Sequence, residues 1–270
     1  MSWRGVQAVV RRDLTVALGS KPLVLPAVIV PVVVLVVMPA LAGLAPRLVA
    51  VAPAGDIEPL LQMLPADQAA ALPADPGLQA AVVAVRYLLA PMVLLVPVMV
   101  AAIIAADGLA GERERGTLEA LLLTPLTDRE LAIAKLLAAW IPATVIGLAG
   151  AVLYALVGNL SVGRQVGQLI LPTAEFALMA VWVGPAFAAA ALGAVSLVSA
   201  RVSTTQEAFQ IGGLVVLPVV ALLISQASGV LLLSTGVLLL AGLVGAAVAA
   251  GLLRLAAASL ARARLGPRLD

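Results

Sequence analysis

Six stretches of this chain run through Ala, Val, Leu, Ile, Gly and Pro almost without a charged side chain, at 22–45, 87–106, 136–157, 173–200, 208–226 and 230–253. Each is close to the roughly 20 residues that an α-helix needs to cross the hydrocarbon core of a bilayer. The pattern predicts an all-α membrane protein of six transmembrane helices, formed by one domain over 1–270. Two connections are long enough to hold structure of their own, 46–86 and 107–135.

The second of these is patterned rather than featureless. Gly108 and Gly111 suggest an elbow, and Glu112, Arg113, Glu114 and Arg115 alternate in sign after it. Gly116 can turn the chain into a short helix over 117–123, where Leu118, Leu121 and Leu122 recur at helical spacing. Pro125 ends that helix, and Thr127 with Glu130 makes a T-x-x-E capping box that starts the next. By this pattern alone, 107–135 is either a docking lever or a charged interfacial hairpin.

In the first connection, prolines 46, 53, 59, 65, 73 and 76 allow only short helices. Asp56 is placed to cap a turn over 60–64, and Asp75 with Pro76 to open a helix that runs on into the second span. At the N-terminus, Trp3, Val6, Val10, Leu14 and Ala17 share one helical face, with Arg4, Gln7, Arg11 and Thr15 beside it. Residues 1–21, which also include Arg12, therefore read as an interfacial helix. The first apolar run is too long, and lacks the small-residue cleavage site, for a secretory signal peptide.

Composition agrees with membrane burial: 63% of residues are hydrophobic, 11% are charged, and the mean hydropathy is +1.16. Soluble domains carry about 45–50% apolar residues. Of the 16 basic residues, thirteen fall in the N-terminal arm, the second and fourth connections and the tail; only Arg47, Arg86 and Arg164 fall on the other side. The positive-inside rule then places both termini and 107–135 in the cytoplasm and 46–86 outside. These charges flank spans, so their expected partner is the lipid bilayer and not nucleic acid.

The chain has no Cys and no His. Disulfides, thiolate or imidazole metal sites and Cys- or His-based catalysis are thereby excluded. No ionisable residue lies well inside a span, which leaves proton relays and ion-coupled carriers without their usual machinery. The two lysines, Lys21 and Lys135, follow no G-x-x-x-x-G, so the chain has no P-loop. Active transport would require a separate nucleotide-hydrolysing partner. Catalytic and metal sites are expected to be absent from this chain, which reads as a transport subunit rather than an enzyme.

The run Glu112-Arg-Glu-Arg-Gly-Thr-Leu-Glu-Ala-Leu-Leu-Leu-Thr-Pro125, followed by Asp128-Arg-Glu130-Leu and Lys135, resembles the signature loop of ABC-2-type permeases, the membrane subunits of ATP-binding-cassette exporters. The segment from Ser199 through Arg201 to Glu207, and the Arg11-Arg12-Asp13 arm, resemble further parts of that family. Ala134 departs from the glycine that commonly precedes the lysine. The resemblance implies two permease copies, as a homodimer or a related heterodimer, joined to two ABC ATPase subunits that hold ATP and Mg; this chain would bind neither. The short helix in 107–135 would be the coupling helix. Gly116 would supply the turn, Thr117 and Glu119 polar contacts, Leu118 and Leu122 a fit into the ATPase groove, and Thr124-Pro125 the end. Glu112 and Glu114 would hold the elbow by pairing with Arg113, Arg115 or the partner. Trp3, Arg4, Arg11 and Arg12 would belong to the interfacial connecting helix.

Few polar groups interrupt the spans. Thr144, Gln206, Glu207 and Gln210 are the candidate pathway or gating residues, and their scarcity favours a hydrophobic or amphipathic substrate. Small-residue faces at 147–151 and 242–251 would allow close helix approach, including across a dimer seam. The alternatives are a membrane assembly or scaffold protein, or a passive carrier without ATP. The residue bias suggests a GC-rich bacterial genome, and hence the cytoplasmic (inner) membrane.

Overall fold

A computed structural model describes Gln7, Arg11, Pro46, Gln62, Leu64 and residues 21–44, 66–117, 127–227 and 234–259. Every regular element among the described residues is helical. Helix α1 consists of Lys21–Val32, a π turn at Val33–Val37, and Met38–Ala42. It is followed by α2 (Pro76–Glu114), α3 (Asp128–Val166), α4 (Ala174–Ser199), α5 (Thr205–Gln226) and α6 (Thr235–Ser259). The five from α2 to α6 are long and apolar enough to cross a membrane, and α1 contributes the shorter apolar segment Val28–Ala42. At 39 residues each, α2 and α3 are about 58 Å long, nearly twice a hydrocarbon core of about 30 Å.

The ends of these helices follow local chemistry. Asp75 accepts a hydrogen bond from the Leu78 backbone N–H at 2.8 Å, and Pro76 sits at the first helical position of α2. At the start of α3, Thr127 and Glu130 form the reciprocal capping box, with the Thr127 N–H donating to Glu130 Oε2 at 3.0 Å and the Glu130 N–H donating to Thr127 Oγ1 at 3.3 Å. Thr173 and Thr204 cap α4 and α5 one way only, their hydroxyls accepting from the Phe176 and Glu207 N–H groups. Of the proposed interfacial helix, Gln7 and Arg11 are helical and exposed; Trp3, Arg4, Arg12 and Asp56 lie outside the described residues, and of the 60–64 turn only Gln62, which is helical, and Leu64, which is buried, are described.

One expectation changes. The glycines at 108 and 111 make no elbow: Asp107–Gly111 is a π turn inside a helix that continues to Glu114. The turn occurs at Gly116, whose φ of +66° lies in the left-handed region that glycine enters without a Cβ clash. The Gly116 N–H donates to the Arg113 carbonyl at 3.1 Å and the Thr117 N–H to the Glu112 carbonyl at 2.9 Å. That pair of bonds is a Schellman motif.

Helix α2 is the hub. Its most apolar window is 72% buried, against 17% for α5 and 22% for α6, as expected of a helix that is hydrophobic on all sides. It packs on α3 and α4, and α4 in turn on α6. The α4–α6 contact is close because Gly193 lies on the α6 backbone: a Cβ there would stand 2.7 Å from Leu252 Cβ and 3.1 Å from the Leu253 nitrogen. Dispersion and close packing, not hydrophobic exclusion, hold helices together in lipid, so such approaches carry much of the stability.

Side chains from neighbouring helices bond to backbone groups where the helices are irregular. Tyr154 donates to the Val85 carbonyl at 2.7 Å, within the π turn Ala84–Leu88, and its ring stacks on Phe176 at 5.7 Å. Asn159 accepts from the Ile170 and Leu171 N–H groups and donates to the Leu171 carbonyl, which ties the end of α3 to the approach to α4. Lipid offers these groups no alternative partner.

Candidate functional site: a polar node where α2 ends and α3 begins

Residues 118–126 lie outside the described residues and are flanked by Thr117 and Thr127. Between these flanks, the ends of α2 and α4 and the starts of α3 and α5 meet in a cluster of charged and hydroxyl side chains.

Glu112 is 2% exposed and Lys135 9% exposed. The Lys135 ammonium lies 3.1 Å from Glu112 Oε1 and donates to the Gly108 carbonyl at 2.9 Å. An ion pair so buried holds only with supporting hydrogen bonds, because desolvation of each charge otherwise outweighs the attraction. The carbonyl at Gly108 lies in the π turn, where the α-helical bonding pattern is interrupted.

Ser199 occupies the same turn from the other side. It is fully buried, accepts from the Leu109 and Ala110 N–H groups at 3.2 and 2.9 Å, and donates to the Ala106 carbonyl at 2.9 Å. A single hydroxyl thus bonds three backbone groups of α2 around the irregularity, its two acceptor lone pairs and one proton all used.

Asp107 and Arg115 clasp the turn lengthwise. The guanidinium donates to both carboxylate oxygens, at 2.8 and 3.1 Å, the bidentate geometry that suits arginine. The Arg115 pKa is raised above its ordinary value, chiefly by the Asp107 hydrogen bond, against a lowering from burial, with smaller support from the charges of Asp107, Glu112 and Glu114. Arg113 donates to the Val202 carbonyl and, at 3.5 Å, to that of Ala200. Glu114 Oε2 accepts from the Thr205 N–H at 3.1 Å, and Thr205 Oγ1 donates to Asp107 Oδ1 at 3.5 Å.

In the described contacts Glu112 bonds Lys135 on α3, Arg113 the carbonyls of Ala200 and Val202, and Glu114 the Thr205 N–H, all across helices, while Arg115 bonds Asp107 within α2. Continuing α2 as a helix through 114 spreads these side chains around its circumference, Glu112 toward α3, Arg113 and Glu114 toward the α4–α5 junction, and Arg115 back along α2 itself. Gly116 and Thr117 sit at the exit of the loop, where Thr117 Oγ1 also reaches the Glu112 carbonyl at 3.4 Å. Leu118, Glu119, Leu122, Thr124 and Pro125 lie outside the described residues. Lys135 and Ser199 stand in stretches that resemble the family, but the pattern along the chain assigns neither of them, nor Asp107, a role at the site. The available signal was an isolated polar residue at the last or first turn of an otherwise apolar helix.

The four candidate pathway residues do not form one site. Gln206, Glu207 and Gln210 are exposed along the start of α5. Thr144 lies instead on α3, at a groove of about 660 Å³ between α3, α4 and α6 that Trp140, Trp182 and Pro185 help to line. Its buried Oγ1 has no hydrogen-bond partner among the described residues. Trp140 Nε1 donates to the Pro185 carbonyl at 3.0 Å across this groove wall.

Long apolar helices around a buried hub, with polar side chains gathered at a helix-end loop, define a multi-pass membrane protein. The family described as ABC-2 family transporter protein matches residues 7–237, and the chain belongs to that family. It is accordingly the membrane permease component of an ABC transporter, a class whose membership implies an ABC ATPase partner. No curated protein matches the chain.

Proposed function

We propose that this permease works in an exporter, moving a hydrophobic or amphipathic substrate outward on ATP hydrolysed by a separate cassette subunit, which holds the ATP and Mg. Two permease copies assemble with two cassettes in the inner membrane, with both termini and the loop 117–127 on the cytoplasmic side. That loop acts as the coupling helix. Thr117 and Glu119 make polar contacts to the cassette, Leu118 and Leu122 fill its groove, and Thr124-Pro125 ends the element.

The observation that carries this reading is the node around Glu112, Lys135 and Ser199. A loop that delivers force must be anchored to rigid helices. Here both ends of 117–127 meet a node bonded to α2, α3, α4 and the start of α5, so a push on the loop is transmitted to the bundle hub. The apolar groove beside Thr144 supports a hydrophobic cargo. The exposed face of α5, with Gln210, Ile211, Leu214 and Leu217, supports a pathway or seam shared with a second copy, since an amide facing lipid is costly. By contrast, Gly147 and Gly150 pack on Pro97 and Leu35, and Gly242 and Gly245 on Trp182 and Phe187 of the same chain, so these faces are used internally.

The test is reconstitution with the co-purifying ATPase in liposomes. Hydrolysis stimulated by a lipophilic cation or amphiphile, together with ATP-dependent accumulation in inside-out vesicles, is the expected result. A permease that purifies without any P-loop ATPase, or a complex whose hydrolysis moves nothing, would overturn the reading.

A further inference from the structure

At the end of the bundle remote from Glu112, α2, α4, α5 and α6 enclose a cavity of about 270 Å³. Arg86 and Tyr87, Glu175, Gln226 and Thr235 line it. Arg86 and Glu112 are 26 positions apart on one helix, or about 39 Å at 1.5 Å per residue. With the node at one membrane surface, that distance puts the cavity at the other, at headgroup depth.

Gln226 is 3% exposed, and its Nε2 donates to the Tyr87 carbonyl at 2.6 Å. A backbone carbonyl only accepts, so this bond fixes the amide: Nε2 faces Tyr87, and Oε1 is the remaining acceptor. That oxygen is buried and has no hydrogen-bond partner among the described residues. A buried acceptor in this state lacks the donor that would repay its desolvation. The surrounding wall is firm, because the Tyr87 hydroxyl donates to Gln68 Oε1 at 3.0 Å and the Arg86 guanidinium stands 5.9 Å from the Tyr87 ring centre. Glu175 Oε1 accepts from Thr235 Oγ1 at 3.4 Å, which positions a carboxylate at the same cavity.

We infer that this cavity binds a small zwitterionic head bearing a primary ammonium and an anionic oxyacid, of which phosphoethanolamine is the form a bilayer supplies. The ammonium N–H groups satisfy Gln226 Oε1 and the Glu175 carboxylate, and the Arg86 guanidinium takes the anionic oxygens. A choline head carries no N–H and leaves Gln226 Oε1 without a donor, so the site discriminates ethanolamine from choline. The volume equals about nine waters at ~30 Å³ each, room for a headgroup but not for acyl chains, which would remain in the bilayer. This site is independent of whether the transporter exports.

The experiment uses the purified transporter with its ATPase, in nanodiscs of equal phosphatidylethanolamine and phosphatidylcholine with matched chains, and reads retained lipid by native mass spectrometry. In parallel, soluble O-phosphoethanolamine and phosphocholine are titrated against the delipidated protein by thermal shift. Retention of the ethanolamine lipid over the choline lipid by about tenfold, the scale of one charge-assisted hydrogen bond, is expected. Glu175→Gln, which keeps the shape and the Thr235 bond, and Gln226→Leu should both abolish that preference. Saturable stabilisation by free O-phosphoethanolamine assigns the site to solutes as well as lipid, and its absence alongside lipid retention assigns it to lipid alone. Equal retention of both lipids with no soluble ligand binding, or a preference that survives both substitutions, overturns the proposal.

Discussion

The ammonium of Lys135, on the first turns of α3, meets the carboxylate of Glu112 at 3.1 Å with both side chains almost wholly withdrawn from solvent, 7% and 2% exposed. The pair joins the end of α2 to the start of α3 across the base of the loop 117–127. Breaking such a pair by removing one partner typically costs about 3–5 kcal/mol, because a buried charge loses its counter-charge. Lys135→Met should therefore lower the melting temperature of the solubilised complex sharply. Adding Glu112→Gln to Lys135→Met should restore part of the loss, measured by fluorescence-detected size exclusion after heating. A double variant as unstable as the single one would show that the pair is not the source of the cost.

Ser199→Ala removes the hydroxyl that bonds to Ala106, Leu109 and Ala110. Buried backbone donors left without a partner cost about 1–3 kcal/mol, and the π turn is expected to relax. Transport per ATP hydrolysed should fall more than basal hydrolysis does, as read from paired transport and ATPase assays on one preparation. Equal losses in both would reduce Ser199 to a purely structural role.

Arg115 makes a pH prediction whose sign follows from its raised pKa. A raised basic group contributes stability that is present below its already very high unfolded value, and lost only as pH rises through its still higher folded value. The Asp107 clasp should thus persist to pH ~11. In Arg115→Lys, whose ammonium titrates near 10.4 in the open chain, the fork is lost and an additional alkaline destabilisation should appear as pH rises above about 10. The comparison is the difference between variant and parent melting curves across that range, which cancels other alkaline titrations.

Gly193→Val should separate α4 from α6, since the new side chain would meet the Leu252 and Leu253 backbone rather than a movable side-chain tip. Overpacking of this kind costs about 1–3 kcal/mol or more. Gly251→Ala, at a glycine with open space around it, should be neutral to mildly stabilising. Thermal unfolding of the two variants side by side checks both.

Glu119→Arg reverses the charge of the proposed coupling helix without touching a span. Membrane insertion and dimer yield should be unchanged while substrate stimulation of the ATPase is lost. Retained stimulation would remove Glu119 from the coupling contact.

Much of this protein was legible because its signals are local. Asp75 with Leu78, Thr127 with Glu130, and Gly116 with its positive φ each work within one turn of chain, and the apolar runs report directly on the solvent around each helix. Sequence placed an elbow at Gly108 and Gly111, where α2 instead runs on. Glycine permits a turn without requiring one, and the hydrogen bonds supplied by Ser199 and Lys135 make the π turn tenable.

The solvent, the helices, their caps and the family motif are set by residues within a few positions of one another. Tertiary structure alone decided the partners of the polar side chains: Lys135 with Glu112 across 23 positions, Ser199 with Ala110 across 89, and Gln226 with Tyr87 across 139. The reason is physical. A helix satisfies its own backbone locally, but an isolated polar side chain in lipid must find its partner on another helix, and which helix that is depends on how the whole bundle packs around α2.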